Sequence, residues 1–103
     1  MNKRERVERT LAGLPTDRTP VCFWRHYGQI APEETVQQHL QFFESSGMDL
    51  LKMMCDEFFP YPPDENATPE EILAMRPLGK DNYYVRGQAE RAGQVNEALK
   101  GEI

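Results

Sequence analysis

The sequence predicts an α/β chain organised around one parallel βαβ unit. Two short runs carry that reading. Val21-Cys22-Phe23-Trp24 is β-branched and aromatic, and Leu50-Leu51-Lys52-Met53-Met54 is nearly continuous in apolar residues. Such runs fit strands buried in a parallel sheet. Between them lies an amphipathic stretch of helical length, opened by Pro32 and closed by Gly47. Proline suits the first helical turn, and glycine suits the residue past the last one.

The first element is a helix from Asn2 to about Leu14. Asn2 followed by Glu5 fits a capping pattern, and Val7, Leu11 and Leu14 share one face. Pro15 and the Asp17-Arg18 pair break it, and Pro20 opens the first strand. The second helix runs from Pro32 to about Ser46, with Glu33 and Glu34 at its positive end. Val36, Leu40 and Phe43 form its buried stripe with Phe42 beside them, and His39 falls on the polar side. Asp49 to Met54 reads as the second strand.

A long loop with Pro60, Pro62 and Pro63 follows. Thr68-Pro69-Glu70-Glu71 is a capping box that starts a short helix to about Met75. Tyr83-Tyr84-Val85 reads as a small strand or packed loop. The last helix runs from Gln88 to Lys100, with Ala89, Ala92, Val95 and Leu99 on one face. The order is therefore helix, strand, helix, strand, helix, helix. The βαβ portion should be right-handed. Two strands alone leave unpaired backbone groups on both outer edges. The pattern thus calls for a cover, either further chain or another molecule, including a second copy.

Composition narrows the function classes. The chain has 103 residues, 39% apolar and 28% charged, with net charge −5. That balance is globular. An acidic chain has no general attraction to nucleic acid or to an anionic membrane. No apolar run approaches membrane-spanning length, and the charged start MNKRERVERT lacks an apolar signal core. The expected location is the cytoplasm. Cys22 and Cys55 are scattered, are expected to stay reduced as packing residues, and offer no clustered ligand set for zinc. No metal site is expected.

The segment Trp24-Arg25-His26-Tyr27-Gly28-Gln29-Ile30-Ala31-Pro32-Glu33 resembles the first-strand motif of the uroporphyrinogen decarboxylase family, Met-Arg-Gln-Ala-Gly-Arg-Tyr-Leu-Pro-Glu. The two align without a gap, and Arg25, Gly28, Pro32 and Glu33 match. Gln29 stands where the family carries a second arginine. Upstream, Leu14-Pro15-Thr16-Asp17-Arg18-Thr19-Pro20-Val21 looks like the lead-in to that strand. Downstream, Met48 to Asp56 resembles the second strand, with Asp56 on the aspartate of a Phe-Ser-Asp motif. The tail Ala98 to Ile103 looks like the approach to a third strand.

The resemblance implies that residues 1–103 form the N-terminal part of a (β/α)₈ TIM barrel that ends before barrel strand three. It also implies a lyase of porphyrin (heme) biosynthesis, a decarboxylase acting on a tetrapyrrole or another small carboxylated substrate without a cofactor. As an incomplete segment the chain should itself be inactive. Corrinoid-linked methyltransferases share the barrel and are an alternative. A non-catalytic module that assembles through its strand edges is another.

The chemistry explains which residues matter. Arginine pairs bidentately with carboxylates, and a carboxylate can accept pyrrole N–H bonds and offset a cationic intermediate. Barrel sites lie at the C-terminal ends of strands. The resemblance therefore assigns Arg25, His26 and Gln29 to substrate binding and Asp56 to catalysis. An amide at Gln29 removes one carboxylate-binding charge, which points to a divergent relative. Plainer readings stand beside these. Arg25 is a surface ion-pair residue, His26 a partly buried polar residue, and Asp56 the cap of a turn. Phe58, Phe59 and Tyr61 either line a ligand cleft or cover a core.

Overall fold

The computed structural model describes residues 1–28, 30–56 and 66–100. Four helices follow one another: α1 (Lys3–Leu11), α2 (Pro32–Ser46), α3 (Pro69–Leu73) and α4 (Tyr83–Ala98). Their ends obey local rules. The Asn2 side chain accepts a 2.8 Å bond from the Glu5 amide at the start of α1. Pro32 opens α2, and Gly47 closes it at φ 68°, a left-handed conformation that glycine adopts without strain. Thr68 and Glu71 exchange both capping-box bonds at α3.

The expected α/β fold, the first part of a (β/α)₈ barrel, is overturned. Among the described residues none lies in a strand, and the chain is helical with extended connections. The two runs expected to pair as strands are tied at one point, where the Asp49 amide donates to the Val21 carbonyl at 2.8 Å. The reason is visible in where the amides go. Val21 N–H bonds the Asp49 carboxylate, Tyr27 N–H bonds the Asp56 carboxylate, and Met54 N–H bonds the His39 ring. Side chains have taken donors that a ladder would need. Two strands also gain too little pairing to hold a sheet by themselves.

Tyr83-Tyr84-Val85 is likewise neither strand nor loop. It forms the first turn of α4, because the Asn82 side chain accepts from the Tyr84 amide and caps the helix five residues earlier than the apolar spacing suggested.

The core lies between α2 and α4, the two helices that pack together. Val36, Phe43, Met48, Val95 and Leu99 form it, with Val21, Leu40, Phe42, Leu51 and Met53 packed around. Full burial of a side chain such as Phe43 contributes ~1.5–3 kcal/mol. No other pair of helices makes close backbone contact among the described residues.

α1 buries an unexpected face. Leu11 and Leu14, expected in an apolar stripe, are 83% and 51% exposed, while Arg6 is buried. Its guanidinium grips Asp17 with two bonds of 2.7 and 2.8 Å and donates to Asp49 at 2.7 Å. Arg18 adds bonds of 2.5 and 2.9 Å to the same Asp49. Asp49, fully buried, thus accepts from Arg6, Arg18 and the Val21 amide. The Asp17-Arg18-Thr19-Pro20-Val21 segment is therefore a fastening between α1 and the start of the 49–56 segment. Arg18 hydrogen bonding, opposed by burial and helped by Val21 and Arg6, pulls the Asp49 carboxyl down to about 2. The Arg6 guanidinium likewise holds Asp17 well below the usual carboxylate range.

Candidate functional site

The extended segment after Val21 carries Arg25, His26 and Tyr27, and the segment after Asp49 ends at Asp56. Asp56 joins them. Its Oδ1 meets His26 Nδ1 at 2.5 Å, and its Oδ2 accepts from the Tyr27 amide at 2.7 Å. Burial pushes the Asp56 carboxyl up, but the Tyr27 amide and His26 together outweigh it, and the net shift is downward. Asp56 is therefore an anion at neutral pH. An ionised carboxylate can only accept, so His26 donates from Nδ1.

His39 steadies this arrangement from below. The sequence placed it on the polar side of α2, yet it is 1% exposed. Its spacing, three residues after Val36 and four before Phe43, puts it on the buried stripe, so the signal was present in the sequence. A backbone amide can only donate. Met54 N–H therefore fixes Nε2 as an acceptor at 2.8 Å, and the proton sits on Nδ1, which donates to the Thr35 carbonyl at 2.7 Å. The ring also stacks at a tilt on Tyr27, with centroids 4.5 Å apart. His39 thus couples α2 to both segments that meet at Asp56. Burial raises the Tyr27 phenol above its ordinary value.

Of the residues expected to bind substrate, His26 is joined to Asp56, and its side chain is 66% exposed, more open than expected. Arg25 is exposed, with its guanidinium 5.1 Å from the centre of the Tyr27 ring and 5.7 Å from that of Phe42. The ion-pair reading of Arg25 finds no carboxylate partner among the described residues; its contacts are aromatic faces. Gln29, Phe58, Phe59 and Tyr61 lie outside the described residues. Cys22 and Cys55, expected to pack inside, are both exposed, and Cys55 Sγ contacts the Tyr84 hydroxyl.

Asp56 lines a cavity of ≈ 350 Å³ together with Gly28, Ile30, Thr35 and Met54. Gln88 and Arg91 of α4 also line it. Neither was singled out from sequence, because nothing in the local pattern of a helix says which of its polar residues will face another element. Arg25 is not among the lining residues. The arrangement offers a fixed anion, a guanidinium and an amide around one small space.

Among the described residues no three His, Cys, Asp or Glu side chains converge to hold a metal ion. Nor, among them, is any helix long and apolar enough to cross a membrane. No protein-family model, curated protein or solved structure matches the chain.

Proposed function

We propose that the chain is a binding element for a carboxylated pyrrole substrate, of the uroporphyrinogen decarboxylase-like kind, and that it is not catalytic alone. One observation carries this reading. Asp56 is held ionised by His26 and the Tyr27 amide while it borders a cavity. Two of its lone-pair directions are used, and a carboxylate has roughly four. The remainder can accept a pyrrole N–H and offset positive charge on a protonated ring, the chemistry a tetrapyrrole decarboxylation requires. The motif shared by Arg25, Gly28, Pro32 and Glu33 supports the same class. Decarboxylation also needs water excluded from the reacting centre. The two-thirds exposure of His26 beside Asp56 argues against that in this chain.

The test is calorimetric titration with reduced uroporphyrinogen III. The natural chain should bind it, and Asp56→Asn should bind it at least ~10-fold more weakly, from loss of a charged hydrogen bond, with an unchanged helical circular dichroism spectrum. Equal binding by the variant, or none by the natural chain, removes the proposal. Carbon dioxide release by the chain alone would remove its non-catalytic part.

A second reading, a non-catalytic module that assembles with a second copy, is favoured by one feature. Phe23, Trp24 and Leu50 on the two extended segments are 51%, 56% and 43% exposed. Light scattering should then report a dimer. A monomer at high concentration ends this reading and leaves the first intact.

A further inference from the structure

We propose that the cavity beside Asp56 is a bipolar site, in which Arg91 binds the carboxylate of a single substituted pyrrole whose N–H meets Asp56. The proposal rests on the pyrrole reading above and names the residue that holds the acid group.

Arg91 is half-buried and lines the cavity with Gln88, one turn earlier on α4. Its helical neighbours at three and four residues are Gly87, Gln88, Gln94 and Val95, none of them acidic. The nearby Glu90 is engaged by Arg86 at 3.4 Å. Among the described residues, no carboxylate lies within ion-pair distance of Arg91, including Asp56 across the same cavity. A half-buried guanidinium with no carboxylate partner among the described residues has its donors open to an anion, and a carboxylate matches its fork of donors.

Gly87 lies close under this guanidinium. A Cβ at that position would lie 3.2 Å from Arg91 Nη1, a tight contact from which the flexible guanidinium would have to give by a few tenths of an ångström. Glycine inside a helix is destabilising relative to alanine. Here it leaves room for the arginine on the cavity wall. Arg25, by contrast, is outside the cavity and over aromatic rings.

The size sets the ligand. A cavity of ≈ 350 Å³ is at the small end of ligand sites, which span roughly 300–1,000 Å³. It has room for one pyrrole ring with its acid side chain. A larger substrate would insert one ring. Gln88 contributes an amide that can bond the second carboxylate oxygen or a second acid group.

The experiment is calorimetry on the whole chain with two probes, porphobilinogen (a monopyrrole bearing acetate and propionate) and succinate (a dicarboxylate without a pyrrole). The natural chain should bind porphobilinogen more tightly than succinate. Arg91→Gln should weaken both ~10-fold or more, the scale of a charged hydrogen bond. Arg91→Lys should restore part of the loss, and Lys80→Gln, at an exposed lysine outside the cavity, should change neither. Gly87→Ala is the control for folding. It should keep or raise the unfolding temperature, because its new methyl asks the guanidinium to give by only a few tenths of an ångström. Porphobilinogen binding that ignores Arg91→Gln overturns the role of Arg91 and leaves the pyrrole reading standing. Arg91-dependent succinate binding with no porphobilinogen binding keeps the role of Arg91 and overturns the pyrrole reading. Binding of neither probe overturns both.

Discussion

Asp49 and Asp56 bound the same extended segment, one at each end, and they are wired in opposite ways. Asp49 is sealed in. Two arginines and one amide converge on it, and its side chain has no exposure. Asp56 is bonded on one side by His26 and the Tyr27 amide and borders a cavity on the other, with 13% of its side chain exposed. Both carboxylates are held ionised. The comparison teaches that charge alone does not mark a functional aspartate. A carboxylate whose lone pairs are all spent on the protein is a fastening, and one with lone pairs facing an open space is available for a ligand.

That contrast can be broken most strongly at Asp49. Asp49→Asn removes the anion that Arg6 and Arg18 share, while Arg6 keeps Asp17, and should cost ~3 kcal/mol, the low end of the range for breaking a buried pair. Urea unfolding would show it as a lower midpoint at unchanged slope. A loss below 1 kcal/mol would mean the fastening contributes little.

Acid should act on the same group. The folded carboxyl of Asp49 is depressed, from an ordinary 3.8 to about 2. Its stabilisation is therefore complete above pH 3.8 and is lost as pH falls towards 2. Asp17 is depressed as well and adds in the same direction. Unfolding midpoints measured between pH 7 and pH 2 should be flat above about 5 and fall steeply below about 4. In Asp49→Asn the fall should be shallower, since one titrating group is gone.

The next effect belongs to His39, which ties α2 to the Asp56 end of the segment. His39→Leu fills the space but removes the acceptor for the Met54 amide. An unpaired buried donor costs ~1–3 kcal/mol. The Met54 amide should also exchange its hydrogen faster, read by NMR, ahead of amides in the α2–α4 core. Unchanged protection at Met54 would show that the ring does not hold the segment.

The smallest effect is expected at Leu11. It is 83% exposed. Leu11→Ala should change stability by less than ~0.5 kcal/mol. A larger loss would restore the apolar stripe that the spacing of Val7, Leu11 and Leu14 suggested.

Much of the helical layout was legible. Asn2, Pro32, Gly47 and the Thr68 capping box each act within four residues of the backbone they cap, so local chemistry suffices to find them. The apolar spacing of Val36 and Phe43 and of Val95 and Leu99 located the core faces. The two strands were misread because an apolar run says that side chains are to be covered, not what the backbone pairs with. The runs supply core residues, such as Val21, Leu51 and Met53, without a ladder. The site was half legible. The resemblance put Arg25, His26 and Asp56 forward, and His26 and Asp56 do meet across thirty residues of chain. Tyr27, His39 and Arg91 were missed as contributors, each for a contact with a distant element.

The sequence by itself determined the starts of α1, α2 and α3, the end of α2, and the apolar residues by which α2 and α4 meet. It determined an acidic chain too. Those properties depend on neighbours within a turn or two and on composition. Tertiary structure alone decided that Asp49 is saturated while Asp56 is not, that His39 turns inward to hold Met54, and that Arg91 rather than Arg25 reaches the cavity. Each of these depends on which donors and acceptors remain free once distant segments have come together. A residue's own identity states what it can bond, and the fold states what is left for it to bond.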